Sequence, residues 1–239
     1  MTGLEIVPSH HHLARTAADR FVSLASEAIA NRGRFAVALA GGSTPEPAYA
    51  LLAEPPVVHK VDWTRVEVFW GDERCVPPDH PDSNYRMARR AFLDDVPIPE
   101  EYVHRMRGEL PPDEAAAAYR LELQEALDAD GRFDLILLGM GPDGHTASLF
   151  PGTDAVDERT RSVVAVHVEA LDAWRITLTL PVINAARRVI FLVSGEAKAE
   201  TVARVHAGDP LPAALVEPVC GELTWLVDRA AASHLPETA

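Results

Sequence analysis

The sequence predicts an α/β fold: a mainly parallel sheet with helices on both faces. Three observations lead there. Short apolar runs alternate with segments of helical periodicity along the whole chain. Two of the runs, 35–40 and 133–138, are apolar at nearly every position, as in strands covered on both faces. No long linker, internal repeat or low-complexity tract interrupts the pattern, so residues 1–239 are expected to form one domain.

The elements follow in order. Residues 12–31 carry Leu13, Ala17, Phe21, Leu24 and Ala28 at helical spacing, and Gly33 stops them. Residues 35–40 read as a buried strand. Ser43 and Glu46 are spaced as a capping box and Pro45 suits a first turn, which predicts a helix to about Leu52. A strand at 66–70 precedes a polar, Pro-rich loop over 71–82 and a helix near 83–92. Residues 113–127 form an amphipathic helix, with Ala116, Tyr119, Leu123 and Leu127 on one face. The strand 133–138 feeds a Gly-rich turn at 139–144 and a short helix at 145–150, stopped by Pro151 and Gly152. Strands at 162–168, 176–180 and 189–193 follow, then a helix at 196–206 and a last strand at 223–227. Ligands of such sheets bind beyond the carboxyl ends of the strands. Polar turns stand at three such ends, after Ala40, Trp70 and Leu138.

Composition narrows the classes. Of 239 residues, 47% are hydrophobic and 24% charged, which is ordinary for a globular protein. No apolar run reaches the roughly 18 residues of a membrane span. Residues 1–9 lack a basic region followed by an apolar one, so no signal peptide is expected. Cys75 and Cys220 have no metal-ligand spacing, and a reducing, cytoplasmic setting is the default. The net charge of −14 argues against nucleic acid and anionic membranes as partners. An anionic small molecule would need a locally positive site, which gives weight to basic residues beside Gly-rich turns. A monomer or weak homo-oligomer is expected.

Four motifs carry chemistry. Gly41-Gly42-Ser43-Thr44 joins a strand to a helix start, where backbone N–H groups converge on an anion. It reads equally as a capped turn, and it lacks the Gly-Lys-Ser/Thr ending of a nucleotide P-loop. Gly71-Asp72-Glu73-Arg74 follows a strand. It is either a solvated loop or a grip in which Arg74 holds an anion. Gly139-Met140-Gly141-Pro142-Asp143-Gly144-His145 contains the spacing of a dinucleotide fingerprint. Its mid-chain position, Pro142 and the early stop at Pro151 weigh against that reading. What remains is Asp143 two residues before His145, either a turn with a helix-start histidine or a carboxylate orienting a general base. Lys198 follows Ser194-Gly195-Glu196 as a candidate phosphate clamp. His10-His11-His12 reads as a natural helix start in preference to a metal cluster, and Ser148 lacks a nucleophile elbow.

Together these segments resemble the 6-phosphogluconolactonase family, within the glucosamine-6-phosphate isomerase/6-phosphogluconolactonase superfamily. The likeness runs through residues 40–45, 70–74 with 82–84, 133–152, 175–178 and 195–198, in order, and is most specific around His145. It implies a Rossmann-like domain needing no cofactor and no metal. It also implies hydrolysis of 6-phospho-D-glucono-1,5-lactone, a phosphosugar lactone, to 6-phosphogluconate. By the same likeness His145 is the general base, Asp143 orients it, and Arg74 and Arg175 are basic site residues with Asp72 beside them. Gly41, Gly42, Ser43 and Thr44 with Lys198 form the phosphate site. A Lys-Pro-Pro run found in many members is replaced by Ala170-Leu171-Asp172-Ala173-Trp174, and Trp174 is expected to shape the pocket instead. Two other readings stay in view: a glucosamine-6-phosphate deaminase-like isomerase and a non-catalytic phosphosugar-binding protein. The deaminases have Tyr where Arg74 stands. Their histidine block continues Asn-Glu-Pro, against Ser148-Leu149-Phe150 here.

Overall fold

The computed structural model describes residues 2–127 and 130–236. In chain order the elements are β1 (Thr2–Val7), α1 (His10–Arg32), β2 (Phe35–Leu39), α2 (Glu46–Ala53), β3 (Val66–Trp70), β4 (Asp72–Arg74), α3 (Asn84–Ala88) and α4 (Pro112–Ala126). Then come β5 (Leu135–Leu138), α5 (Asp154–Asp157), β6 (Val163–Val168), β7 (Ala173–Leu178), α6 (Leu180–Ala185), β8 (Arg188–Val193), α7 (Ala199–His206) and β9 (Glu222–Asp228). Six strands form a parallel sheet in the order β1-β9-β8-β5-β2-β3. A second sheet, antiparallel, has the order β4-β7-β6.

The central strands β2 and β5 are buried at every position, which is why they read as unbroken apolar runs. One face of the sheet is covered by α1, α2 and α3 around Phe21, Tyr49, Trp63 and Phe92. The other is covered by α4, α6, α7 and the second sheet, around Tyr119, Phe133, Phe191 and Trp225. Helices lie on both faces as expected; the antiparallel sheet is an added layer. Small residues of α1 (Ala14, Ala17, Ala18, Ala25 and Ala28) are buried, which lets the helix lie close on the sheet. Gly33 ends it at φ 82°, donating to Ile29 O.

Two buried tyrosines fix the points where strands give way to turns. The Tyr49 hydroxyl accepts from Ala40 N and donates to Ala40 O, and Tyr119 does the same for Trp70. Burial pushes both phenols far above their ordinary pKa, so both remain neutral donors.

Several elements depart from the sequence reading. β1 is an edge strand with one neighbour, and its Leu4 and Ile6 are exposed, so it lacks the apolar signature of a buried strand. The loop expected at 71–82 contains β4, whose charged residues pair with β7. The helix expected at 83–92 is α-helical through Ala88 and continues as a π-helical turn, Arg89–Leu93. The helix expected at 145–150 is a tight turn closed by a Thr146–Leu149 bridge, with Ala147 at φ 47°. Its polar groups are engaged elsewhere: Thr146 Oγ1 donates to Gly139 O, and Ser148 N donates to Thr177 Oγ1. The Ser43–Glu46 capping box does not form. Residues 43–45 make a turn, and α2 starts at Glu46 behind Pro45 with no side-chain cap.

Candidate active site

The strand order reverses between β2, which continues to β3 on one side, and β5, which lies on the other. A crevice is expected at the carboxyl ends there. It exists as a cavity of about 370 Å³, lined by the turns after β2, β3, β5 and β8 and by Arg175 of β7. Gly41, Gly42, Ser43, Thr44, Asp72, Arg74, His145, Arg175 and Lys198 all line it. Asp143 stands behind His145. The fold thus gathers the predicted site residues from five segments of the chain.

The 139–150 segment is shaped around His145. Its Nδ1 lies 2.6 Å from Asp143 Oδ1, which also accepts the His145 backbone N–H at 3.1 Å. The ring stacks on Phe150 with centroids 4.0 Å apart. With Nδ1–H donating to the carboxylate, Nε2 carries the lone pair. Gly141 must be glycine because a Cβ there would lie 2.1 Å from His145 Nδ1. Gly144 sits at φ 82°. Thr201 Oγ1 donates to Pro142 O at 2.6 Å and Ala213 N to Gly144 O at 3.0 Å, anchoring the turn from outside.

The 71–74 segment is anchored by Glu73, which is 2% exposed. Its carboxylate accepts from Ser83 Oγ and from the backbone N–H groups of Arg74, Asn84 and Tyr85. Burial raises its pKa, with the three backbone donors opposing. Ser83 Oγ caps α3 by accepting from Arg86 N. This placement brings Asn84 against Gly41 and lets Asn84 Nδ2 donate to Asp72 O at 2.8 Å. Asp72 Oδ2 accepts from the buried Ser148 Oγ at 2.7 Å.

Among the described residues, Arg74, Arg175 and Lys198 have no carboxylate hydrogen-bond partner. Arg74 Nη1 donates to the carbonyl of Asp82, and its Nε is buried without a partner. Arg175 lies opposite Arg74 across the β4–β7 pair, and burial followed by the Arg74 charge lowers its pKa. Lys198 is also lowered by burial, with Asp143 opposing. A strongly acidic chain therefore carries a locally positive cleft.

Trp174 does not line the pocket, contrary to expectation. It is 44% exposed and packs on His167, ring centroids 5.2 Å apart, because successive strand residues face opposite ways and Arg175 faces the cavity. Leu171 supplies that wall. Cys75 is half-buried and its thiol is pushed up to about 11 by burial, so it is not an activated nucleophile. His10 opens α1 with Nδ1 3.0 Å from Ser194 Oγ. Among the described residues no cluster of three or more His, Cys, Asp or Glu side chains is placed to hold a metal, and no helix is long and apolar enough to cross a membrane. The sequence reading gave no role to Glu73, Asn84 or Ser148. The Ser83-Asn84 pair opening a helix was the available signal for two of them.

Comparison with known proteins accords with this geometry. The chain is 44% identical over 241 residues to the 6-phosphogluconolactonase of a Nostoc species, covering 97% of this chain and 98% of that protein. The crystal structure of a devB protein superposes with a TM-score of 0.90 at 33% identity, covering 99% of this chain and 100% of that one. A 6-phosphogluconolactonase from Trypanosoma cruzi gives a TM-score of 0.86 at 30% identity, covering 98% and 97%. Residues 8–225 match the model of the family described as glucosamine-6-phosphate isomerases/6-phosphogluconolactonase, and the chain belongs to that family.

Proposed function

We propose that this protein is an enzyme that hydrolyses 6-phospho-D-glucono-1,5-lactone to 6-phosphogluconate, the second step of the oxidative pentose phosphate pathway. The observation that carries the reading is the Asp143–His145 pair, held at 2.6 Å in a cleft with Arg74, Arg175 and Lys198. The 6-phosphogluconolactonases among its relatives act, by their name, on this lactone. The chain acts as one catalytic domain, because a single cleft draws on residues from Gly41 to Lys198. We place it in the cytoplasm as a monomer or weak homo-oligomer.

His145 Nε2 takes a proton from water as the water oxygen attacks the lactone carbonyl. Arg74 and the backbone N–H groups of the 139–144 turn that are not bonded within it stabilise the resulting oxyanion. As the bond from C1 to the ring oxygen breaks, His145 returns the proton to that oxygen. The Gly41–Thr44 turn and Lys198 hold the phosphate, and Arg175 adds positive charge beside Asp72. General-base catalysis contributes about 10²–10⁴-fold, and one oxyanion donor roughly 10²–10³-fold. A sugar lactone is an activated ester, so these two effects suffice.

The deaminase reading requires a carboxylate after the histidine. Here that stretch is Ser148-Leu149-Phe150, with Ser148 bonded to Asp72 and Phe150 stacked on His145. The decisive assay follows acid release from freshly made lactone by the wild type and by His145→Ala. Near wild-type turnover by the variant overturns the role of His145, and ammonia release from glucosamine 6-phosphate overturns the substrate. Binding of 6-phosphogluconate without lactone turnover would indicate a sensor instead.

A further inference from the structure

Asn84 lines the pocket, and among the described residues nothing donates to its carboxamide oxygen. The side chain lines the cavity yet is only 2% exposed. Its carboxamide lies flat against Gly41, where a Cβ would come within 1.8 Å of Oδ1. The amide orientation is fixed chemically. Nδ2 faces Asp72 O at 2.8 Å and Asp72 Oδ1 at 3.5 Å, both of which can only accept, so the NH₂ must point there. Oδ1 is then the atom turned toward Gly41, and among the described residues nothing donates to it.

The rest of the pocket wall makes that oxygen significant. Arg74, Arg175 and Lys198 can only donate, and the Ser43 and Thr44 hydroxyls belong to the turn proposed to hold the phosphate. They suit a phosphate, a carbonyl and an oxyanion. A ring hydroxyl also carries a hydrogen, which needs an acceptor. Asp143 is committed to His145, and Asp72 to Ser148 and Asn84. Asn84 Oδ1 is neutral and, among the described residues, accepts from no protein group.

We propose that Asn84 is a specificity-determining residue whose Oδ1 accepts a hydrogen bond from one ring hydroxyl of the substrate. The inference rests on the lactonase reading. It assigns the site a preference for a hydroxylated sugar lactone over one lacking that hydroxyl. It also explains the shared placement of Asn84 and Gly41: a side chain at 41 would displace the acceptor.

The test uses the parent lactone and its 2-, 3- and 4-deoxy counterparts, each bearing the 6-phosphate. Leaving a buried acceptor unpaired corresponds to about 5- to 150-fold. The wild type is expected to lose that factor in kcat/KM on one deoxy lactone. Asn84→Ala is expected to lose a similar factor on the parent and nothing further on that same deoxy lactone. Asn84→Ser also removes the carboxamide oxygen and sets no carboxylate against Asp72 O, so it is expected to repeat this pattern if Asn84→Ala does not fold. A wild type that turns over all three deoxy lactones like the parent overturns the inference. So does an Asn84→Ala or Asn84→Ser loss that is equal on every lactone. A wild type inactive on the parent lactone instead overturns the reading beneath it.

Discussion

Arg74 and Arg175 stand directly opposite each other across the β4–β7 ladder, and among the described residues neither guanidinium bonds a carboxylate. Like charges placed so are destabilising, where a favourable cross-strand pair contributes roughly 0.2–1 kcal/mol. The cost is offset when an anion binds between or beside them.

Arg175→Leu is therefore expected to stabilise the ligand-free protein slightly and to weaken anion binding. For a chain of this length, ~1 kcal/mol corresponds to a rise of roughly 2–4 °C in Tm. Loss of charge-assisted contacts of about 1.5–3 kcal/mol predicts 6-phosphogluconate binding weaker by about 10- to 150-fold. Thermal scans with and without ligand, together with calorimetric titration, check both signs. An unchanged Kd removes Arg175 from the binding site.

Gly141→Ala tests the packing behind the proposed base. The added Cβ would lie 2.1 Å from His145 Nδ1 and 2.6 Å from Asp143 Oδ1, so the pair must separate. The expected loss in kcat approaches that of removing the base, about 10²–10⁴-fold, with the fold retained. Circular dichroism and steady-state kinetics decide it. Activity within a few fold of the wild type would falsify the role given to the 2.6 Å contact.

His104 predicts a pH dependence of stability remote from the cleft. It stacks on Phe69 and is bonded by Glu122 at 3.1 Å and Glu67 at 3.2 Å. Burial alone would lower its pKa, but the two carboxylates outweigh burial and raise it to about 9. The folded value lies above the unfolded one of about 6.5. The stabilisation is thus complete below pH ~6.5 and is lost as pH rises through 9, on the order of 2–3 kcal/mol. Urea melts of the wild type should weaken over that window, and those of His104→Gln should not. Parallel pH profiles for the two proteins would refute the assignment.

Cys75 and Cys220 should differ in reactivity. Cys75 is half-buried with its thiol raised to about 11, while Cys220 is exposed. At pH 8, iodoacetamide is expected to label Cys220 first and leave lactone turnover intact. Mass spectrometry with a parallel assay reads this directly, and early labelling of Cys75 with loss of activity contradicts it.

Much of the cleft was legible because its determinants are local. Glycines at 41–42 and 139–144 follow apolar runs, and Lys198 follows a strand end, so each turn could be read from its own neighbourhood. What escaped was non-local. Ser148 serves Asp72, 76 residues away, and a serine in a turn shows nothing of that partner. β4 has three charged residues and becomes a strand only because β7 pairs with it. β1 half exposes its apolar residues at a sheet edge. The expectation for Trp174 failed on strand alternation: once Arg175 faces the cleft, its neighbour must face away.

Among the described residues β1 pairs with β9 alone, joining residues 2–7 to residues 223–228. The outermost strand at one side of the sheet is thus made long before the partner it needs. During synthesis it must wait until residues 223–228 have appeared. Such a closure has high contact order and is slow compared with the local turns of the cleft. The chain therefore passes through forms whose β8 edge is open, and an open parallel edge is a site for pairing with other chains. A chain cut short before Glu222 would carry that edge permanently, even with all the cleft turns, 41–198, present.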